Sequence, residues 1–258
     1  LILCEAPELV ASADGLYEIQ KITFTSGTTS EPKGVCLTTA QQWEVAEALH
    51  AGLDCLKVRR HLCLLPLAVL LENVAGVYTA LLAGAEVIVP PLAEVGLRGA
   101  SAFDAQACLN TIARTRAESV ILLPQMLQAL VAAVKIHDAR IESLKFVAVG
   151  GARTPDGLIA QAWQKGFPVF EGYGLSECSS VVALNLPGAG RAQSVGKPLA
   201  HRQVRIAADG EIEIGGLPPT RYLGQPSQDQ AWLPTGDIGY LDTNGFLFIS
   251  GRKKDVLI

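Results

Sequence analysis

The chain has 258 residues, 49% hydrophobic and 18% charged, with a net charge of -4. That length and balance suit one large or two ordinary folded domains and exclude a disordered chain. No basic run exceeds Arg252-Lys253-Lys254, which gives no basis for nucleic acid as the main partner.

Over the first two-thirds, short β-rich runs alternate with helical patterns. Residues 19–25 read as a strand running into a polar loop. Residues 39–53 read as a helix, with Thr39 as N-cap and Gln42 as its capping-box partner. Residues 61–65 are strand-like, 73–83 helix-like, and 86–89 a short strand closed by Pro90-Pro91. A helix follows over 104–116, a strand over 119–123 and a helix over 124–136. Residues 144–149 form an apolar strand ending at Gly150-Gly151. Thr154-Pro155 supplies an N-cap with Pro at the first helical position, and 167–170 is the next strand. The apolar stretch 62–85 is interrupted by Pro66, Glu72, Asn73, Gly76 and Gly84, so it predicts a strand and a buried helix, with no membrane span.

Continuous apolar strands alternating with helices predict an α/β fold with a mostly parallel sheet flanked by helices. Such sheets bind ligands beyond the carboxyl ends of their strands. That places functional candidates in the loop after Phe24, the turn at Gly150 and the loop after Phe170. After about Pro187, runs at 204–207, 211–214, 239–241 and 246–249 are separated by Asp209-Gly210, Pro218-Pro219 and Asn244-Gly245. These hairpin signals predict a small antiparallel β-rich subdomain. The expected division is 1–187 and 188–250, with 251–258 beyond.

Cysteines at 4, 36, 55, 63, 108 and 178 show no CxxC spacing and no His at a matching ligand distance. They predict reduced, mostly buried thiols of a cytoplasmic protein, without a zinc site or disulfide framework. The chain begins without Met or the features of a signal peptide and stops on an apolar run, so it reads as a fragment.

Four segments carry chemistry. In Thr25-Ser26-Gly27-Thr28-Thr29-Ser30-Glu31-Pro32-Lys33-Gly34, small residues let backbone N–H groups approach phosphate oxygens, while hydroxyls and one ammonium add donors and charge. The spacing of Lys33 is not that of a Walker loop, and a Ser/Thr-rich surface turn fits the composition equally well. Glu171-Gly172-Tyr173-Gly174-Leu175-Ser176-Glu177 sets a ring beside two glycines, where a base could stack, then a hydroxyl and a carboxylate suited to phosphate and Mg²⁺. A buried Tyr beside a Gly-rich turn is the plainer alternative. Thr235-Gly236-Asp237 offers two acceptor oxygens that suit a vicinal diol, or an ordinary turn. Gly251-Arg252-Lys253-Lys254-Asp255 is a short basic run, usually a solvated surface.

In this order the segments resemble the motifs of the adenylate-forming superfamily, the acyl-CoA synthetases and their relatives, over residues 20–258. The first resembles Ser-Gly-Thr-Thr-Gly-x-Pro-Lys-Gly, departing at Ser30. The second resembles Tyr-Gly-x-Thr-Glu, with Ser176 for Thr. Gly150-Gly151-Ala152 resembles the glycine motif that passes along adenine. The resemblance implies ATP and Mg²⁺ bound by Thr25, Ser26, Gly27, Thr28, Thr29 and Lys33, by Gly150, Gly151 and Ala152, and by Gly172, Tyr173 and Gly174. It implies Ser176 on phosphate, Glu177 on the metal, Asp237 on the ribose hydroxyls and Arg252 on ribose or phosphate. Lys33, Ser176, Glu177 and Arg252 would be the catalytic set, and Lys254 the hinge to a C-terminal domain.

The implied reaction is ATP-dependent activation of a small-molecule carboxylic acid as an acyl-adenylate, with release of pyrophosphate and thioester formation with CoA. Transfer to an acyl-carrier protein, or a truncated non-catalytic member that only binds nucleotide, are the alternatives. Leu65-Pro66-Leu67-Ala68-Val69-Leu70-Leu71-Glu72 resembles the Leu-Pro-Leu-x-His-x-x-Glu segment of long-chain fatty acyl-CoA synthetases, with Val69 where His is usual. Val69, Leu70 and Asn73 are therefore the expected acid pocket, for a fatty or other hydrophobic acid.

Overall fold

Runs such as Ser119-Val120-Ile121-Leu122 have no polar face to give to solvent, and all four of these residues are buried. A computed structural model of the chain describes residues 19–25, 32–99 and 102–256. In chain order its elements are β1 (Ile19–Thr25), β2 (Lys33–Thr38), α1 (Thr39–Leu53), β3 (Arg60–Leu62), a π-helical segment (Leu71–Tyr78) continuing into α2 (Thr79–Leu82), and β4 (Glu86–Ile88). Next come β5 (Leu97–Arg98), β6 (Ala102–Phe103), α3 (Ala105–Thr115), β7 (Ser119–Leu122), α4 (Pro124–Ala133), β8 (Phe146–Val149), α5 (Leu158–Lys165), β9 (Val169–Leu175) and β10 (Ser180–Leu184). The rest is β11 (Lys197–Pro198), β12 (Gln203–Ile206), β13 (Glu211–Gly215), β14 (Arg221–Tyr222), β15 (Trp232–Leu241), β16 (Leu247–Arg252) and α6 (Lys253–Val256).

The central sheet runs β11-β10-β9-β8-β7-β3-β4. From β9 to β4 the pairing is parallel, and β10 and β11 close the other edge antiparallel. Its core joins β7 and β8 to α3, α4 and α5 through Ile112, Leu127, Leu130 and Ala162. The mostly parallel α/β layer expected from the alternation of elements is therefore present. So is an antiparallel sheet late in the chain, in the order β12-β13-β15-β16. The buried guanidinium of Arg202 donates to Glu44 in α1 and to the Gly216 carbonyl, which ties this sheet back to the first half.

Several expectations need correction. β1 does not join the parallel sheet. It pairs antiparallel with β2, Ile22 opposite Cys36 and Thr25 opposite Lys33, and β14 adds to the other edge of β2. Lys33 and Gly34, read as the end of the Thr25–Gly34 loop, instead open the strand Lys33–Thr38, whose Val35 and Leu37 pack on Val45 and Leu49 of α1. The helix cap is Thr38, one residue earlier than expected. Its hydroxyl accepts from Gln41 N, and Gln41 Oε1 accepts from Thr38 N at 2.8 Å. Pairing of β2 up to residue 38 sets that boundary. Thr154-Pro155 does not start α5. Leu158 N donates to the Pro155 carbonyl, and Gly157 in a left-handed conformation (φ 79°) turns the chain before the helix begins.

The helix expected at 73–83 starts at Leu71 and is underwound into π geometry, an arrangement frequent at functional sites. Glu72 explains its placement. Its fully buried carboxylate accepts from Leu64 N and Leu65 N at 3.1 and 2.8 Å through Oε2, and its Oε1 lies 2.8 Å from His61 Nε2. Gly76 leaves the room, since a Cβ there would sit 2.4 Å from Glu72 Oε1. Among the described residues the five cysteines are free, four of them buried, and no helix is long and apolar enough to cross a membrane.

Removing the Glu72 carboxylate strands two buried N–H donors and the imidazole. Glu72→Ala is expected to lower unfolding free energy by about 3–5 kcal/mol, seen as a lower urea midpoint at unchanged m-value.

Candidate functional site

β9 does not end at Phe170. It carries Glu171-Gly172-Tyr173-Gly174-Leu175 onward as strand, because β10 folds back on it with Gly172 opposite Leu184 and Gly174 opposite Val181. The expected loop after Phe170 is thus paired backbone, and its glycines have a steric cause. A Cβ on Gly174 would lie 1.6 Å from the Ser180 carbonyl oxygen, and one on Gly172 3.1 Å from that of Ala183. Ser180 itself stands at φ 111°, backbone strain of the kind kept at functional sites. Ser176 and Glu177 follow in a short 3₁₀ turn.

Beyond this strand lies a cavity of about 630 Å³, within the ~300–1,000 Å³ typical of small-molecule sites. Gly150 and Gly151 from the end of β8, Gly172, Tyr173, Gly174 and Ser176, and Thr23 and Phe24 of β1 all line it. Gly150 is held so close that a Cβ would sit 3.1 Å from the Gly172 carbonyl oxygen. Ala152, also expected at the site, is exposed and does not line the cavity.

Thr235-Gly236-Asp237 likewise lies inside a strand. β15 begins at Trp232, well before the run predicted at 239–241, because β13 pairs along it. Gly236 takes a left-handed φ of 73°, and the Thr235 hydroxyl donates to the Ile212 carbonyl while accepting from Asp237 N. Asp237 is 5% exposed. Tyr173 donates its hydroxyl to Oδ2 at 2.7 Å, and Arg252 Nε lies 3.0 Å from Oδ1. Ring 173, carboxylate 237 and guanidinium 252 therefore form one bonded group. Burial, and then the Asp237 charge, push the Tyr173 hydroxyl well above its ordinary value.

A second group forms around a residue that the sequence did not single out. Tyr222 in β14 donates to Glu177 Oε1 at 3.2 Å, and Lys33 Nζ stands 5.6 Å from its ring centroid. Burial and Glu177 push the Tyr222 hydroxyl up to about 12. No signal marks Tyr222, because a two-residue strand after Pro218-Pro219 has no period to read. Glu177 suits Mg²⁺, a hard cation usually held by one or two carboxylates plus substrate phosphates. Thr25 ends β1 opposite Lys33. Ser26, Gly27, Thr28 and Thr29 lie outside the described residues.

Of the residues expected to border the acid, Val69 and Leu70 line the same cavity with Leu49, Leu71, Ala75 and Phe146. Asn73 does not. Its Oδ1 accepts from Lys21 Nζ at 2.9 Å. Lys254 sits in α6 with an exposed side chain. His61, Cys63 and Glu72 converge within 4.8 Å, which their spacing did not foretell, but the oxygens of Glu72 are already engaged as described above.

A family model described as AMP-binding enzyme matches residues 16–216. The chain is 30% identical over 256 residues to the 2-succinylbenzoate–CoA ligase of Bacillus subtilis (strain 168), covering 92% of this chain and 49% of that one. It is 29% identical over 260 residues to the indoleacetate–CoA ligase of Aromatoleum aromaticum, covering 92% and 48%. The solved structure of the Bacillus subtilis O-succinylbenzoate coenzyme A synthetase in complex with ATP and magnesium superposes with a TM-score of 0.73 at 28% identity, over 92% of this chain and 50% of that one. The chain thus spans about half the length of the curated relatives it matches.

The raised Tyr173 pKa gives a test of the Tyr173–Asp237 contact. The unfolded chain releases this proton near pH 10 and the folded chain does not, so the associated stability is complete below pH 10 and is lost as pH rises beyond it. Urea unfolding between about pH 9 and pH 11 should show a steeper alkaline loss for the wild type than for Tyr173→Phe.

Proposed function

The chain belongs to the AMP-binding enzyme family, and from that premise we propose that the cleft joins ATP to a hydrophobic carboxylic acid as an acyl-adenylate. In the step proposed, a carboxylate oxygen of the acid bonds to the α-phosphorus. The bond to the α,β-bridging oxygen breaks, and pyrophosphate leaves with that electron pair. No side-chain nucleophile is needed. The protein's work is to hold two anions in line and offset their charge.

The convergence of Tyr173, Asp237 and Arg252 beside the glycine-lined cavity carries this reading. A carboxylate has about four lone-pair sites, so Asp237 retains acceptors for a ribose diol after receiving Tyr173 and Arg252. The Tyr173 ring and the close-approaching backbone of Gly150, Gly151, Gly172 and Gly174 would flank the base. Lys33, Ser176 and the segment 25–29 are assigned to the phosphates. Glu177 would hold Mg²⁺, which supplies charge neutralisation on the phosphate oxygens when bound.

The acid is assigned to the apolar end bordered by Val69 and Leu70. The names of the matched relatives carry aromatic acids, 2-succinylbenzoate and indoleacetate, so aryl acids stand beside alkyl acids as candidates, and the fatty-acid reading rests on the Leu65–Glu72 resemblance alone. Those names also favour CoA as thiol acceptor, and none points to a carrier protein. The free thiols support a cytoplasmic setting.

Calorimetry should show binding of ATP·Mg²⁺ and AMP, and Asp237→Asn should weaken AMP binding by about 1–3 kcal/mol. A folded sample that takes up no adenine nucleotide overturns the reading. The geometry also separates two roles for Arg252. Its guanidinium is committed to Asp237, so Arg252→Gln should weaken adenosine and AMP by the same factor. A direct phosphate contact would weaken AMP alone.

A further inference from the structure

The acid end of the cleft has a back wall, and there is space behind it. A second cavity of about 210 Å³ opens beyond the cleft, bordered by Gly76, Thr79 and Ala80 of the helical segment and by Ser119 of β7. Four residues line both cavities: Leu53, Ala75, Ile121 and Phe146. The partition between them is therefore one side chain thick. All four are apolar, so what meets this wall from the cleft side is hydrocarbon.

Phe146 is the largest of the four side chains. It is 6% exposed, begins β8, and is fixed by stacking on Phe170 at 5.2 Å between ring centroids. Ala75 is the thin point, on the π-helical segment that Glu72 pins to the end of β3. Its neighbour Gly76 cannot grow, because a Cβ would sit 2.5 Å from His61 Nε2. On the far side, His61 Nδ1 and Ser119 Oγ are 2.9 Å apart and satisfy each other, so hydrocarbon entering there strands neither group.

We infer that Phe146 is a specificity-determining residue for the acid: its ring seals the cleft from the back cavity and sets the longest apolar tail that the site accepts. The inference rests on the adenylate-forming reading of the cleft and deepens it. The substrate class is an acid whose carboxylate meets the nucleotide and whose apolar tail, alkyl or aryl, ends against Phe146. Opening the wall would add the back cavity to the space for the tail.

The test is calorimetry on the present chain with acyl-sulfamoyl-adenosine mimics of increasing linear acyl length, each affinity expressed relative to AMP for the same variant. In the wild type, affinity should rise with length and then break off where the tail reaches the wall. In Phe146→Ala the rise should continue past that length, by about fourfold for each further methylene that is buried. Ala75→Val thickens the wall and should move the break to a shorter tail, which keeps the inference testable if Phe146→Ala does not fold. A break at one common length in all three proteins, or no break in the wild type, overturns the assignment while AMP binding stands. Loss of AMP binding in the wild type overturns the adenylate reading itself, and this inference with it.

Discussion

A carboxylate that is 5% exposed cannot stay charged in a protein interior without donors around it. Asp237 obtains them from two directions, the Tyr173 hydroxyl on the last strand of the parallel array and the Arg252 guanidinium on the neighbouring antiparallel strand. That requirement fixes how the late sheet sits over the carboxyl end of β9. Apolar contacts reinforce it, since Cys178, Val182 and Ala183 pack with Ile212, Ile214 and Leu233. Apolar packing would tolerate small slides between the sheets. A 2.7 Å hydrogen bond onto a buried charge would not, and the cleft inherits its shape from that difference.

The same logic operates at the apolar end of the cleft. Glu72 is fully buried, and it pulls the start of the helical segment onto the backbone of Leu64 and Leu65. The segment accommodates this by taking π geometry, with Thr79 Oγ1 donating five residues back to the Val74 carbonyl. The turn before it then carries Val69 and Leu70 to the cavity. Each end of the cleft is thus built on one buried carboxylate that a change of neighbour would leave unpaired.

How much of this could be read from the sequence follows from the range over which each feature is determined. Continuous apolar strands alternating with helices are local patterns, and the parallel layer was legible from them. Ring 173 and carboxylate 237 were legible as motif residues. Their mutual hydrogen bond was not, because it spans 64 positions of chain. Boundaries failed where pairing partners set them. β9 runs through its glycines only because β10 returns along it, and β15 starts early only because β13 lies beside it. Lys33 was recognised, while Tyr222, which links it to Glu177, sits in a strand too short to have a pattern. The cap moved from Thr39 to Thr38 for the same reason, since β2 pairs up to the residue where the helix begins.

In the proposed reading one strand serves both substrates. β8 turns Val147 and Val149 into the helix-covered core, while Phe146 and Ala148 share the opposite face toward the second core cluster, the strand's period of two dividing them. Its end then leads to Gly150, which lines the cavity and is proposed to flank the base. From Phe146 to Gly150 a strand advances about 13 Å, at roughly 3.3 Å per residue. That span is held on both sides by parallel ladders to β7 and β9. The wall proposed to stop the acid and the backbone proposed to seat the nucleotide are therefore a fixed distance apart. If the acid's carboxylate is to reach the α-phosphate as proposed, the length left for its tail is set by the strand, and side-chain size at position 146 is the simplest variable that can change it.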